Sequence, residues 1–124
     1  MDSRQDTKLK VMIVEDEVII ALDLAEMVAD LGHEVVKIAN RVDLASEFAA
    51  TGAVDIAILD MNVRGGASFP IAAILRDRGI PFIFASGYGI GGLIEGFRDA
   101  LVLTKPYTIE TLMQTLAQVR LKPD

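Results

Sequence analysis

At 124 residues the chain has room for one domain with one hydrophobic core, and none for a second folded unit. Hydrophobic residues make up 52% of it, yet charges or glycines interrupt every apolar stretch short of a membrane span, so no membrane partner is expected. A formal charge of -6 speaks against nucleic-acid binding, which is mostly cation-driven, and zero cysteines exclude disulfides and thiolate metal sites.

The opening MDSRQDTK is polar and lacks the apolar segment of a secretory signal. Residues 1–8 are expected to be a disordered tail, residues 9–124 the folded domain, and the location cytoplasmic. Lys10 to Val14 reads as a short apolar strand. Glu17 to Leu31 reads as a helix, since Ile20, Leu24, Met27, Val28 and Leu31 recur at helical spacing and Gly32 closes it. His33, the sole histidine, follows that helix end and is expected to be exposed and idle. Glu34 to Ala39 is a second strand, and Val42 to Ala50 a short helix ended by Thr51-Gly52. The run VDIAILD gives a third strand, Asp55 to Leu59, leading into Asp60.

Val63 to Ser68 carries Gly65-Gly66 and reads as a loop, followed by a helix from Phe69 to Arg78 with Pro70 in its first turn. IPFIFAS makes a fourth strand and LVL, before Thr104-Lys105-Pro106, a fifth. Thr108 caps a last helix with Ile109, Leu112, Met113 and Leu116 on one face. Strand and helix alternate without a hairpin signal, which calls for an α/β fold with a parallel sheet covered on both faces.

In such sheets the functional crevice lies beyond the carboxyl ends of the strands. Glu15-Asp16 follow strand one, Asp60 strand three, Ser86 strand four and Lys105-Pro106 strand five. Three carboxylates, a hydroxyl and an ammonium therefore meet at one sheet edge. Adjacent carboxylates beside a core repel each other and require a cation. Singly each residue is ordinary: an acidic helix start, a turn aspartate, a turn serine, a surface lysine. Their joint placement at successive strand exits is not.

This set resembles the receiver domain of bacterial response regulators, over the chain from about Lys8 to Leu121. The resemblance implies a flavodoxin-like (βα)5 fold with a five-stranded parallel sheet in the order 2-1-3-4-5. It implies Asp60 as the nucleophile that forms an aspartyl phosphate, and Mg²⁺ held by Asp16, Asp60 and the backbone carbonyl of Asn62, with Glu15 on a metal-bound water. Lys105 and Ser86 would contact phosphoryl oxygens, and the Lys105-Pro106 peptide would be cis. These roles suit the chemistry, because phosphoryl transfer is mostly positioning plus charge neutralisation, and Mg²⁺ takes few carboxylates and keeps its waters.

The stretch Phe84-Ala85-Ser86-Gly87-Tyr88 further resembles the alphaproteobacterial single-domain subgroup with a Phe-Ala-Thr-Gly-hydrophobic-Tyr signature (FATGUY). Serine replaces threonine, and Tyr88 follows Gly87 directly. The resemblance also places a swinging Phe or Tyr on strand five, at the position of Leu103, so this ring switch is expected to be missing. Gly87, Gly89, Gly91, Gly92 and Gly96 fall within ten residues where the family has its fourth helix, and are expected to leave it short or mobile and part of the switch.

The expected function is a phosphoacceptor, fed by a sensor histidine kinase or histidine phosphotransfer protein and signalling by protein contact. Its only catalysis would be its own phosphotransfer and autodephosphorylation. The receiver end of a hybrid kinase is the alternative. A flavodoxin-like cofactor binder fits less well, since Glu15-Asp16-Glu17 would repel phosphate where such proteins bind it. A phosphohydrolase would need a further acid where this chain has Asn62.

Overall fold

The apolar runs assemble into one parallel sheet in a computed structural model that describes residues 8–87, 96–97 and 99–121. In chain order the elements are β1 (Lys10–Val14), α1 (Val18–Asp30), β2 (Glu34–Ala39), α2 (Val42–Thr51), β3 (Ile56–Asp60), β4 (Asn62–Val63), β5 (Gly66–Ala67), α3 (Phe69–Asp77), β6 (Phe82–Ser86), β7 (Leu101–Thr104) and α4 (Ile109–Leu121). The main sheet runs β2-β1-β3-β6-β7 with every pairing parallel. Counting its own strands alone, this is the expected order 2-1-3-4-5. The order reverses between β1 and β3, which puts the crevice at their carboxyl ends.

Side chains alternate across the sheet, so each central strand feeds two cores. Met12, Val14, Ala57, Leu59 and Phe84 pack with Ala45 and Ala49 of α2 and Ile71 and Leu75 of α3. Val11, Ile13, Ile58, Ile83 and Leu103 pack with Leu24 and Val28 of α1 and Leu112 and Leu116 of α4. That double burial explains why the strands read as continuous apolar runs. No helix among the described residues is long and apolar enough to cross a membrane.

Several expectations need correction. The loop at 63–68 contains a small antiparallel ribbon, with Asn62 opposite Ala67 and Val63 opposite Gly66. Gly65 at φ 98° and Gly66 at φ 126° let the chain reverse within two residues. The Arg64 carbonyl accepts from Val42 N at 2.8 Å and ties the ribbon to the start of α2. On α4, Met113 is exposed and Thr115 is buried in its stead beside Leu112 and Leu116. The buried stripe there is narrow, and position 113 lies a quarter turn off it.

His33 is neither fully exposed nor idle. It is half-buried, and its Nδ1 accepts the Leu9 N–H at 3.1 Å while Glu34 N donates to Leu9 O at 2.9 Å. The histidine thus pins the entry of β1 beside β2. The expected tail, apart from Lys8, and most of the glycine-rich segment, including Gly89, Gly91 and Gly92, lie outside the described residues.

Helix α2 ends at a close approach. A Cβ on Gly52 would stand 2.6 Å from the Phe48 ring, so any other residue there requires that ring to shift. Arg78 Nη1 donates to the carbonyls of Ala49 at 2.6 Å and Gly52 at 3.0 Å, satisfying the end of one helix from the end of another. Arg78→Ala is expected to lower unfolding free energy by about 1–2 kcal/mol in urea denaturation. An unchanged midpoint would mean that water serves those carbonyls equally well.

Candidate functional site

Parallel strands deliver all their carboxyl ends to one edge, and the residues just past them stay stitched to neighbouring strands. Glu15 N donates to Ala39 O at 3.0 Å, Met61 N to Ala85 O at 3.2 Å and Lys105 N to Ser86 O at 2.8 Å. Glu15, Asp60, Ser86 and Lys105 are therefore fixed by sheet register before any side chain interacts, and Asp16 follows directly on Glu15. The Lys105–Pro106 peptide is cis, as expected.

Lys105 Nζ lies 3.3 Å from Glu15 Oε1 and 3.3 Å from Asp60 Oδ1. Burial alone would lower the lysine pKa, but the carboxylates of Asp60 and Glu15 outweigh it and hold it above its ordinary value. Glu15 is buried, and its other oxygen accepts from Glu17 N at 3.1 Å. Burial chiefly, with the nearby Asp60 charge, raises its pKa despite the lysine and that hydrogen bond. Glu15, Asp16 and Asp60 each offer a carboxylate oxygen, all within 4.8 Å of one another.

The set fits a small divalent cation. Octahedral ligands at about 2.1 Å lie roughly 3 Å apart when adjacent and 4.2 Å when opposite, close to the observed spread. Three carboxylates against one ammonium leave two negative charges, which such an ion would neutralise.

Other expected site residues sit as follows. Ser86 is buried at the end of β6, and Asn62 is exposed at the start of the ribbon. Gly87 is exposed with open space where a Cβ would stand, and Tyr88 lies outside the described residues. The ring position assigned to Leu103 is corrected by strand alternation. Leu103 is 2% exposed beneath α1 and α4, on the face opposite Phe84 and Ser86. Val102, which packs into the Phe84 core, shares their face and is likewise aliphatic.

Two features escaped the sequence reading. The first turns of α1 expose Val18, Ile19 and Leu22 at 67%, 76% and 57% directly after the acidic cluster. Beside them a cavity of about 400 Å³ is lined by Ile20, Asp23, Met27, Lys105, Pro106 and Tyr107. The Tyr107 hydroxyl is buried without a hydrogen-bond partner among the described residues. Burial, then the charges of Glu15, Asp60 and Asp23, push its pKa up. The surplus of apolar residues at 18–20 was the only sequence signal for this rim.

The chain is 31% identical over 111 residues to the transcriptional regulatory protein PdtaR of Mycobacterium tuberculosis, covering 86% of this chain and 54% of that protein. It spans about half the length of the curated relatives it matches. Among solved structures, SdrG of Sphingomonas melonis is 38% identical with a TM-score of 0.81, covering 91% of this chain and 97% of that one. A BeF3-activated conformation of SdrG gives a TM-score of 0.76 at the same identity, covering 90% and 96%. The PhyR response regulator REC domain of Erythrobacter litoralis is 27% identical with a TM-score of 0.80, covering 94% and 95%. No protein-family model matches the chain.

A cation that binds only the folded state stabilises it by RT ln(1 + [L]/Kd), which grows with the free cation concentration. Melting temperature is expected to rise with Mg²⁺ or Mn²⁺, and Asp16→Asn to remove most of that rise. Because the raised Glu15 pKa makes ionised Glu15 cost stability as pH climbs through it, Glu15→Gln should stabilise the metal-free protein at pH 7. A lower metal-free melting temperature for Glu15→Gln would refute that sign.

Proposed function

The chain belongs to the response regulator receiver family, and on that premise we propose that it takes a phosphoryl group onto Asp60 from a phosphohistidine. The observation that carries this reading is the lysine held 3.3 Å from both Asp60 and Glu15 at the sheet's carboxyl edge. In the transfer, an Asp60 carboxylate oxygen forms the bond to phosphorus as the phosphorus–nitrogen bond of the donor breaks, and the imidazole leaves with that electron pair. Lys105 exchanges a carboxylate partner for a phosphoryl oxygen, and Ser86 donates its hydroxyl to another. Mg²⁺, held by Asp16, Asp60 and the Asn62 carbonyl with Glu15 behind a water, would supply the remaining charge neutralisation. The donor is a sensor histidine kinase or a histidine phosphotransfer protein, and the signal leaves by contact with a downstream protein.

Asp60 is partly exposed at this edge, so a donor histidine must approach over the surface flanking it. Val18, Ile19 and Leu22 offer an apolar footing there, with the Tyr107 cavity beside them. A protein donor fits this rim, whereas a small-molecule donor has no use for it.

Acetyl phosphate with Mg²⁺ should add one phosphoryl group to the wild type at Asp60 and none to Asp60→Asn. A label mapped to any other residue would overturn the assignment. Ile19→Glu, which changes only an exposed side chain, should slow transfer from a phosphorylated histidine protein at least tenfold and leave acetyl phosphate labelling unaltered. Equal loss with both donors would place its effect in the site itself.

A further inference from the structure

On the face of the sheet away from α1, four phenylalanines form one cluster. Phe84 of β6 meets Phe69 of α3 at 5.2 Å between ring centroids, and Phe97 lies 5.4 Å from Phe69, 5.9 Å from Phe84 and 6.1 Å from Phe82. Phe97 alone of the four comes from neither β6 nor α3; it belongs to the chain that leads into β7. Arg76, exposed in the last turn of α3, closes over it. The guanidinium carbon stands 4.4 Å from the Phe97 centroid and 5.6 Å from that of Phe82, and Nη1 donates to the Gly96 carbonyl at 2.6 Å.

Two members of the cluster stand next to residues bonded into the site. Phe84 precedes Ala85, which pairs with Asp60 and accepts from Met61 N, and Ser86, whose carbonyl accepts from Lys105 N. Phe69 follows Ser68, whose N–H donates to Met61 O at 2.9 Å. We infer that Arg76 is a positioning residue that holds Phe97 docked on Phe82 and Phe84, and that β6 must yield against this packing for Ser86 to reach a phosphoryl oxygen on Asp60. This rests on the reading of Asp60 as the phosphoryl acceptor. A surface cation–π contact with one hydrogen bond is weak enough to open and directional enough to bias two arrangements of the ring. By linkage, a residue that favours the docked ring weakens any ligand that favours the undocked one by the same factor.

The test is a titration with beryllofluoride and Mg²⁺, followed by ¹⁹F NMR for binding and by the Phe97 amide in ¹H–¹⁵N spectra for docking. Arg76→Gln should lower the beryllofluoride midpoint at least threefold and shift the Phe97 amide before any ligand is added. Phe97→Leu, which keeps apolar volume without the ring, should lower the midpoint similarly, and the double variant should show no further gain. A midpoint in Arg76→Gln that is unchanged or raised overturns the inference, as do additive effects of the two substitutions. A wild type that binds no beryllofluoride would instead sink the assignment of Asp60.

Discussion

The contact on which this molecule depends is the ammonium of Lys105 between Glu15 and Asp60, residues brought together from positions 90 apart in the sequence at the widest. Three carboxylates gathered at the end of a buried sheet repel one another, and burial of Glu15 adds to that cost. One lysine offsets part of it. Its pKa rises despite burial, so attraction to the carboxylates wins over desolvation. The site nonetheless keeps an excess of negative charge, and that excess makes it receptive to a divalent cation.

Most of the scaffold was legible because period-two burial on both faces leaves an unmistakable trace: apolar runs ending in a charged or hydroxylic residue. Strand exits then located Glu15, Asp16, Asp60, Ser86 and Lys105 without any knowledge of their distances. What the sequence hid has physical causes. The ribbon at 62–67 has two-residue strands, too short to show alternation, and only Gly65-Gly66 hinted at a reversal. His33 acts through a hydrogen bond to Leu9, which no periodicity encodes. Met113 falls outside the buried stripe of α4, and the stripe instead takes Thr115, whose hydroxyl donates back to Thr111 O at 2.7 Å. Leu103 and Val102 are adjacent, yet a one-residue offset in a strand moves a side chain to the opposite face.

The two faces of the sheet serve different ends. Beneath α1 and α4 the packing leads outward to an apolar rim and a cavity beside Lys105, the surface proposed for the donor. Beneath α2 and α3 it leads through Phe84 to Phe97 and Arg76, at the far side of the same strand ends. Ser86 and Lys105 are joined through one backbone hydrogen bond, so both faces connect to the same carboxyl edge.

Lys105 partly fills the role of a cation in an over-acidic pocket, and Mg²⁺ calorimetry on Lys105→Met beside the wild type measures how far. One ion per chain is expected in both, with tighter binding in the variant and a lower metal-free melting temperature that Mg²⁺ restores. Binding that is weaker in Lys105→Met, or a metal-free fold indifferent to the loss of the lysine, would contradict it.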